Sequence, residues 1–231
     1  MKTKLEVCCG SVQDCLVAQK VKADRIELNS GLELGGLTPS LGMFMKARAM
    51  VDLPIMVMIR PHNGSYDYSD LDFEVMKKDA EILLDAGSDG IVFGCLTPEG
   101  KIDENRVMKL VDLAKGKETV FHKAIDELEN INEGLEALIR CGVTRVLIGG
   151  GRGSIDDHID YLGQVQEKYG DMIQLLPGGG VHKGNLLNLL DKTHVNQVHM
   201  TGKRLEINPK TKTVHMVTDE NILKEVLNLI R

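Results

Sequence analysis

Five polar side chains interrupt or end short apolar runs: Glu6 in Leu5-Glu6-Val7, Glu27 in Ile26-Glu27-Leu28, Arg60 after Met58-Ile59, His122 after Val120-Phe121, and His199 in Val198-His199-Met200. A carboxylate among apolar strand residues costs several kcal/mol unless a cation or a hydrogen-bond donor meets it. Glu6 and Glu27 therefore call for partners, and Arg60, His122 and His199 are the candidates. Brought together, the five could hold an anion, a metal or a general acid–base pair, with the carboxylates raising the histidine pKa values. A buried ion-pair network that only fills the interior would draw on the same residues. Cys8 and Cys9 add soft ligands of the kind that select Cu(I). They are adjacent, so in a strand they face opposite ways and clamp one ion only if the strand ends between them. Two glycine-rich turns, Gly149-Gly150-Gly151-Arg152-Gly153 and Pro177-Gly178-Gly179-Gly180, offer exposed backbone N–H groups for a phosphate, with Gly149, Gly150, Gly178, Gly179 and Gly180 as the contacts. Simple tight turns would use the same glycines.

These residues need a frame that brings strand ends together. Short apolar runs predict strands at residues 4–8, 25–28, 55–59, 90–93, 119–121, 145–148, 173–176 and 197–200. Amphipathic stretches predict helices at 12–21, 41–50, 71–85, 104–114, 131–140, 158–169, 185–190 and 220–229. Thr38-Pro39-Ser40 and Ser69-Asp70 read as helix starts, the first with Pro in the opening turn. Gly87, Gly142 and Gly170 read as helix stops through positive φ. Eight consecutive βα units predict a (β/α)8 barrel spanning residues 1–231 as one domain, in preference to an open flavodoxin-like or Rossmann sheet. In a barrel the C-terminal strand ends share a mouth, which is where the polar set and both glycine turns would fall. Period-2 alternation groups Glu6 with Cys8, Glu27 with Asn29, Met56 with Met58 and Arg60, Val120 with His122, and Gln197 with His199. The polar loop 60–70 is long enough to cover the mouth, and Tyr66 and Tyr68 either rest over a ligand there or anchor the loop. Residues 201–218 read as a long loop or a small extra hairpin.

Composition narrows the function classes. The 231 residues carry a net charge of -6, with no excess of Lys and Arg to follow a nucleic-acid backbone. Aromatics make up 3% with no Trp, too sparse for stacking platforms. No apolar run suits a signal peptide or a membrane span, so a cytoplasmic protein without nucleic-acid or membrane partners is expected. Five cysteines without CxxC spacing read as reduced thiols. The partner is then a metal ion or a small-molecule ligand, and a homodimer is the expected assembly.

The blocks Ala23-Asp24-Arg25-Ile26-Glu27-Leu28, Gly35-Gly36-Leu37-Thr38-Pro39-Ser40, Met58-Ile59-Arg60-Pro61, Phe121-His122-Lys123-Ala124 and Pro177-Gly178-Gly179-Gly180-Val181 occur in order along the chain, with Asp89-Gly90-Ile91-Val92-Phe93-Gly94 among them. In these blocks the chain resembles the CutC family, from Leu5 to about Met200. The resemblance implies a TIM barrel, a cytoplasmic setting, Cu(I) as the bound metal and a role in copper homeostasis, with no agreed reaction. Glu6, Glu27, Arg60, His122 and His199 fall where the family is equally polar. Where many members resemble ELCS, this chain reads Glu27-Leu28-Asn29-Ser30, so a thiol that would face Cys8 is replaced by an amide. The resemblance thus implies copper at Cys8 or Cys9 with a nearby His or Met. The residues taken alone also allow an enzyme at the same mouth, acting on a small phosphorylated metabolite with Glu6, Glu27, His122 and His199 as acid–base groups.

Overall fold

The structure is a computed structural model that describes residues 2–231. Eight parallel strands, β1 (Lys4–Cys9), β2 (Arg25–Leu28), β3 (Ile55–Met58), β4 (Gly90–Phe93), β5 (Glu118–Phe121), β6 (Arg145–Ile148), β7 (Gln174–Pro177) and β8 (Gln197–Met200), alternate with eight helices. The helices are α1 (Val12–Lys20), α2 (Leu41–Arg48), α3 (Asp70–Asp85), α4 (Glu104–Leu113), α5 (Ile131–Arg140), α6 (Ile159–Tyr169), α7 (Leu186–Thr193) and α8 (Glu220–Ile230). The ladder runs β7-β6-β5-β4-β3-β2-β1-β8, leaving a seam between β7 and β8. Across that seam the Gln197 side-chain amide donates to the Leu175 carbonyl at 3.1 Å. The result is a nearly closed (β/α)8 barrel.

Local chemistry sets the helix ends. Ser69 caps α3 in a capping box with Asp72. Ser40 caps α2 by accepting from the Met43 N–H at 3.1 Å, so Pro39 stands before the cap and not in the first turn. Gly87 and Gly142 reverse the chain at φ 101 and 75. Gly170 departs from the expected stop: its φ is -60, and the α6 end closes in ordinary right-handed backbone. Residues 201–218 contain an antiparallel hairpin, β9 (Lys203–Ile207) with β10 (Val214–Thr218). Cross-strand pairing sets Leu205 opposite Met216 and Ile207 opposite Val214, all four exposed.

The barrel interior is layered. Arg25, Glu118, Arg145, Gln174 and Gln197 each open their strands, and with Glu6 they form a polar chain across the floor. Arg25 donates to Gln197 at 2.9 Å, and Arg145 pairs with Glu118 at 2.6 Å and reaches Gln174 at 3.3 Å. An apolar layer of Met56, Met58, Val92, Val120, Leu147 and Leu176 lies among the inward-facing residues. The register explains where Glu6 goes: it aligns with Arg25 on one side and His199 on the other. Its carboxylate is taken by the Arg25 guanidinium, both fully buried, so Glu6 belongs to the floor and does not line the mouth. That corrects its expected place among the mouth residues.

Candidate functional site

At the C-terminal strand ends a cavity of about 260 Å³ opens, with Cys8, Glu27, Arg60, Tyr66, His122 and His199 on its wall. Four of the five polar strand-end residues therefore meet there, and Glu6 stays below them with Oε1 3.9 Å from His199 Nε2.

On one side of the cavity, single donor atoms of Cys8, Glu27 and His199 lie within 4.8 Å of one another, all buried. Strand alternation supplies the arrangement: β1 and β2 pair Cys8 directly with Glu27, and β8 flanks β1 on its other edge. His199 Nε2 donates to Glu27 Oε2 at 3.0 Å, and the Asn29 amide donates to the same oxygen at 3.0 Å and to Cys8 Sγ at 3.5 Å. Burial alone would push the Glu27 carboxyl up, but the His199 charge and the hydrogen bonds from His199, Asn29 and Cys8 hold it down at about 2. For His199 burial works against the charged ring, and the Glu27 carboxylate more than offsets it, leaving its pKa above the usual histidine value. Burial, and then the Glu27 charge, push the Cys8 thiol well up. The triad thus sets a carboxylate beside an imidazole and a thiol whose protonated forms are both favoured. Glu27 Oε1 is buried and has no hydrogen-bond partner among the described residues. A thiol sulfur and an imidazole suit a soft or borderline ion such as Cu(I), and the carboxylate balances charge. The donor set fits one ion at Cys8 and His199 beside Glu27.

Cys9 does not share this site. It faces away from Cys8 into the packing between barrel and helices, where its Sγ approaches the Val7 carbonyl at 3.6 Å and burial beside Cys15 pushes its thiol well up. The strand continues through both cysteines, so the adjacent pair cannot clamp one ion.

The other side of the cavity holds Arg60, His122 and Lys123. The Arg60 guanidinium donates to the Leu34 and Gly36 carbonyls at 3.1 Å each and stacks over Tyr66, 5.0 Å from the ring centre. It ties the loop after β2 to loop 60–70, of which Tyr66 reaches the cavity. Tyr66 lines the cavity, 4.9 Å from the His122 ring, while Tyr68 is buried in the core as an anchor. His122 fits only because position 94 is glycine: a Cβ there would stand 2.3 Å from the imidazole. Gly94 was silent in the sequence, since nothing local marks a close approach between neighbouring strands.

The glycine turns divide. The N–H groups of Gly149, Gly150 and Gly151 all donate to the Asp126 carboxylate at 2.9–3.1 Å. An internal anion already fills the cup that Gly149 and Gly150 were expected to offer a phosphate. Asp126 sits on a 3-10 turn after β5 and also meets Lys123 three residues before it at 3.1 Å; its distance in sequence from the Gly149 loop is why nothing local signalled it. Gly178 serves a close approach: a Cβ would meet Leu147 at 2.6 Å and the His199 ring at 3.1 Å. Gly179 and Gly180 line the cavity.

Comparison with known proteins agrees with this architecture. The sequence model of the CutC family matches residues 3–204. A CutC family protein of Treponema denticola is 38% identical over 209 residues, 90% of this chain and 85% of that protein. The human copper homeostasis protein cutC homolog is 37% identical, over 86% of this chain and 73% of its own. The crystal structure of a CutC protein from Streptococcus agalactiae superposes with a TM-score of 0.81 at 29% identity, covering 85% of this chain and 97% of that one. With the polar strand ends on one cavity of the shared barrel and the match running through them, the chain belongs to the CutC family.

Proposed function

We propose that the chain acts in copper homeostasis by holding a single Cu(I) as cargo at Cys8 and His199, with Glu27 as the neighbouring counter-charge. The observation that carries this reading is the convergence of three buried donor atoms within 4.8 Å. At neutral pH the ion must displace the Cys8 thiol proton, so loading releases a proton and apparent affinity rises with pH. Anaerobic titration against a chromophoric Cu(I) chelator tests it. We expect one Cu(I) per chain, lost in Cys8→Ser and kept in Cys9→Ser; equal loss in both variants, or none in either, speaks against the site.

A cytoplasmic setting is part of the proposal, supported by five buried cysteines that are all free thiols. No helix among the described residues is long and apolar enough to cross a membrane. A homodimer is also proposed, supported by the exposed apolar face of the β9–β10 hairpin, since an isolated two-stranded ribbon is marginal in water. Sedimentation should give twice the 25.5 kDa chain mass, and Leu205→Lys with Met216→Lys should return it to one chain. An unchanged mass in that double variant would place the interface elsewhere.

A second reading, an enzyme acting on a small metabolite at the same mouth, is favoured by Arg60. It is a buried cation that meets carbonyls but no carboxylate among the described residues. Turnover by that enzyme would survive Cys8→Ser and fail in Glu27→Gln.

A further inference from the structure

The half of the cavity away from Cys8 contains two buried donors that the copper reading leaves unused. His122 is 4% exposed, and its Nδ1 accepts from the Ala124 N–H at 3.1 Å. That bond fixes the tautomer, so the ring proton sits on Nε2. Nε2 is buried and finds no partner among the described residues. An unmade hydrogen bond of this kind is a cost to the folded chain that a ligand would recover. Arg60, 5% exposed, likewise leaves its Nε–H unpaired. Tyr66 is packed against both, with the guanidinium over its ring at 5.0 Å and the imidazole tilted by 54° against it at 4.9 Å, so both donors are held in place before anything binds. The space is small, about 260 Å³ for the whole cavity. The glycine cup that would favour a phosphate is occupied by Asp126.

We infer that this half of the cavity binds a small carboxylate carrying a second acceptor oxygen, with Arg60 facing the negative charge and the Nε2–H of neutral His122 donating to the second oxygen. The inference rests on the second reading above, that a metabolite occupies the mouth, and it names the class of that metabolite. Burial, with the Arg60 charge beside it, holds the His122 pKa near 4, so the ring is a hydrogen-bond donor at neutral pH and cannot serve as a general base for which it must be both free and basic. In that state it suits a carbonyl oxygen, on which negative charge would develop during proton abstraction next to it.

The test uses the full chain, metal-free and Cu(I)-loaded, with pyruvate and 4-oxopentanoate as probes, which set the ketone oxygen at two distances from the carboxylate. Acetate and inorganic phosphate are the comparators. Binding is followed by thermal shift and by the ¹⁵N and ¹H signals of His122. One of the two keto acids should bind about tenfold more tightly than acetate, the value of one hydrogen bond to a charged or polarised acceptor. It should move the His122 Nε2–H signal, and the preference should vanish in His122→Phe, which keeps the ring volume without the donor. Keto acids no better than acetate, or a preference that survives His122→Phe, overturn the inference. Phosphate stabilising the chain while neither keto acid does would also overturn it, yet leave the metabolite reading in place. If His122→Phe fails to fold, the Nε2–H shift in the native chain decides: no movement on saturation with either keto acid defeats the proposal.

Discussion

Replacing Arg25 with Met is expected to lower the stability of the chain by about 3–5 kcal/mol, the cost of stranding one member of a buried ion pair. Arg25 is the cation that meets the Glu6 carboxylate inside the barrel, where the two side chains are 7% and 1% exposed. Its second arm donates to the Gln197 side-chain oxygen Oε1 at 2.9 Å, and the Gln197 amide in turn bridges the β7–β8 seam. Losing Arg25 therefore leaves the Glu6 carboxylate without its hydrogen-bonded cation, with only the His199 ring 3.9 Å away, and frees the side chain that spans the open edge. The double variant Arg25→Met with Glu6→Leu should recover most of the loss, because an apolar pair of similar volume is often neutral or better than a buried ion pair. Urea unfolding measures both. A single-variant loss below about 1 kcal/mol would mean that water reaches the floor and the pair behaves as an exposed one.

The second large effect is on acid stability. His122 titrates near 4 in the folded chain against 6.5 when free, chiefly because it is buried and then because Arg60 stands beside it. The folded state therefore binds fewer protons than the unfolded state between those values, and stability falls as pH drops through that window. At about 1.4 kcal/mol for each pH unit, the loss attributable to this ring is about 3 kcal/mol by pH 4. Two neighbours act elsewhere. The stabilisation of Glu27, whose pKa is held at about 2, is present above pH 4.5 and lost only below it. His199, whose pKa is raised, contributes fully below 6.5 and loses its contribution as pH climbs through its folded value. His122→Asn retains an acceptor for the Ala124 N–H but cannot titrate, so the difference between the native chain and this variant isolates the ring. Denaturation midpoints measured from pH 7 to pH 4.5 should diverge, the variant staying flatter; parallel curves would mean that His122 is hydrated.

Much of this arrangement is legible in the residues. Eight apolar runs separated by helical periods, each closed by a turn such as Ala86-Gly87 or Cys141-Gly142, leave a barrel as the economical topology, and the eight strands follow in order. Glu27, His122 and His199 stand out because each breaks an apolar strand near its C-terminal end, and they do line a common cavity. Glu6 breaks its strand in the same way and yet belongs to the floor. What separates it from Glu27 is the stagger between strands, which pairs Glu6 with Arg25 and Cys8 with Glu27, and stagger is a property of barrel closure that no local pattern carries. Arg145 opened its expected strand and Gln174 stood second in its own, both unremarkable there, although the floor depends on them. The loop after β6 shows a second limit. A run of glycines marks backbone N–H groups that converge, but not what they converge on, and Asp126 stands 23 residues away in sequence from Gly149.

Under the proposed function, Cys8 and not the pair Cys8 and Cys9 would hold copper at the mouth together with His199. X-ray absorption at the copper K-edge of the Cu(I)-loaded chain reads the ligand shell directly. One sulfur with imidazole nitrogen is expected, a spectrum retained in Cys9→Ser and lost in Cys8→Ser. A shell of two sulfurs, or one without sulfur that is indifferent to Cys8, would contradict it.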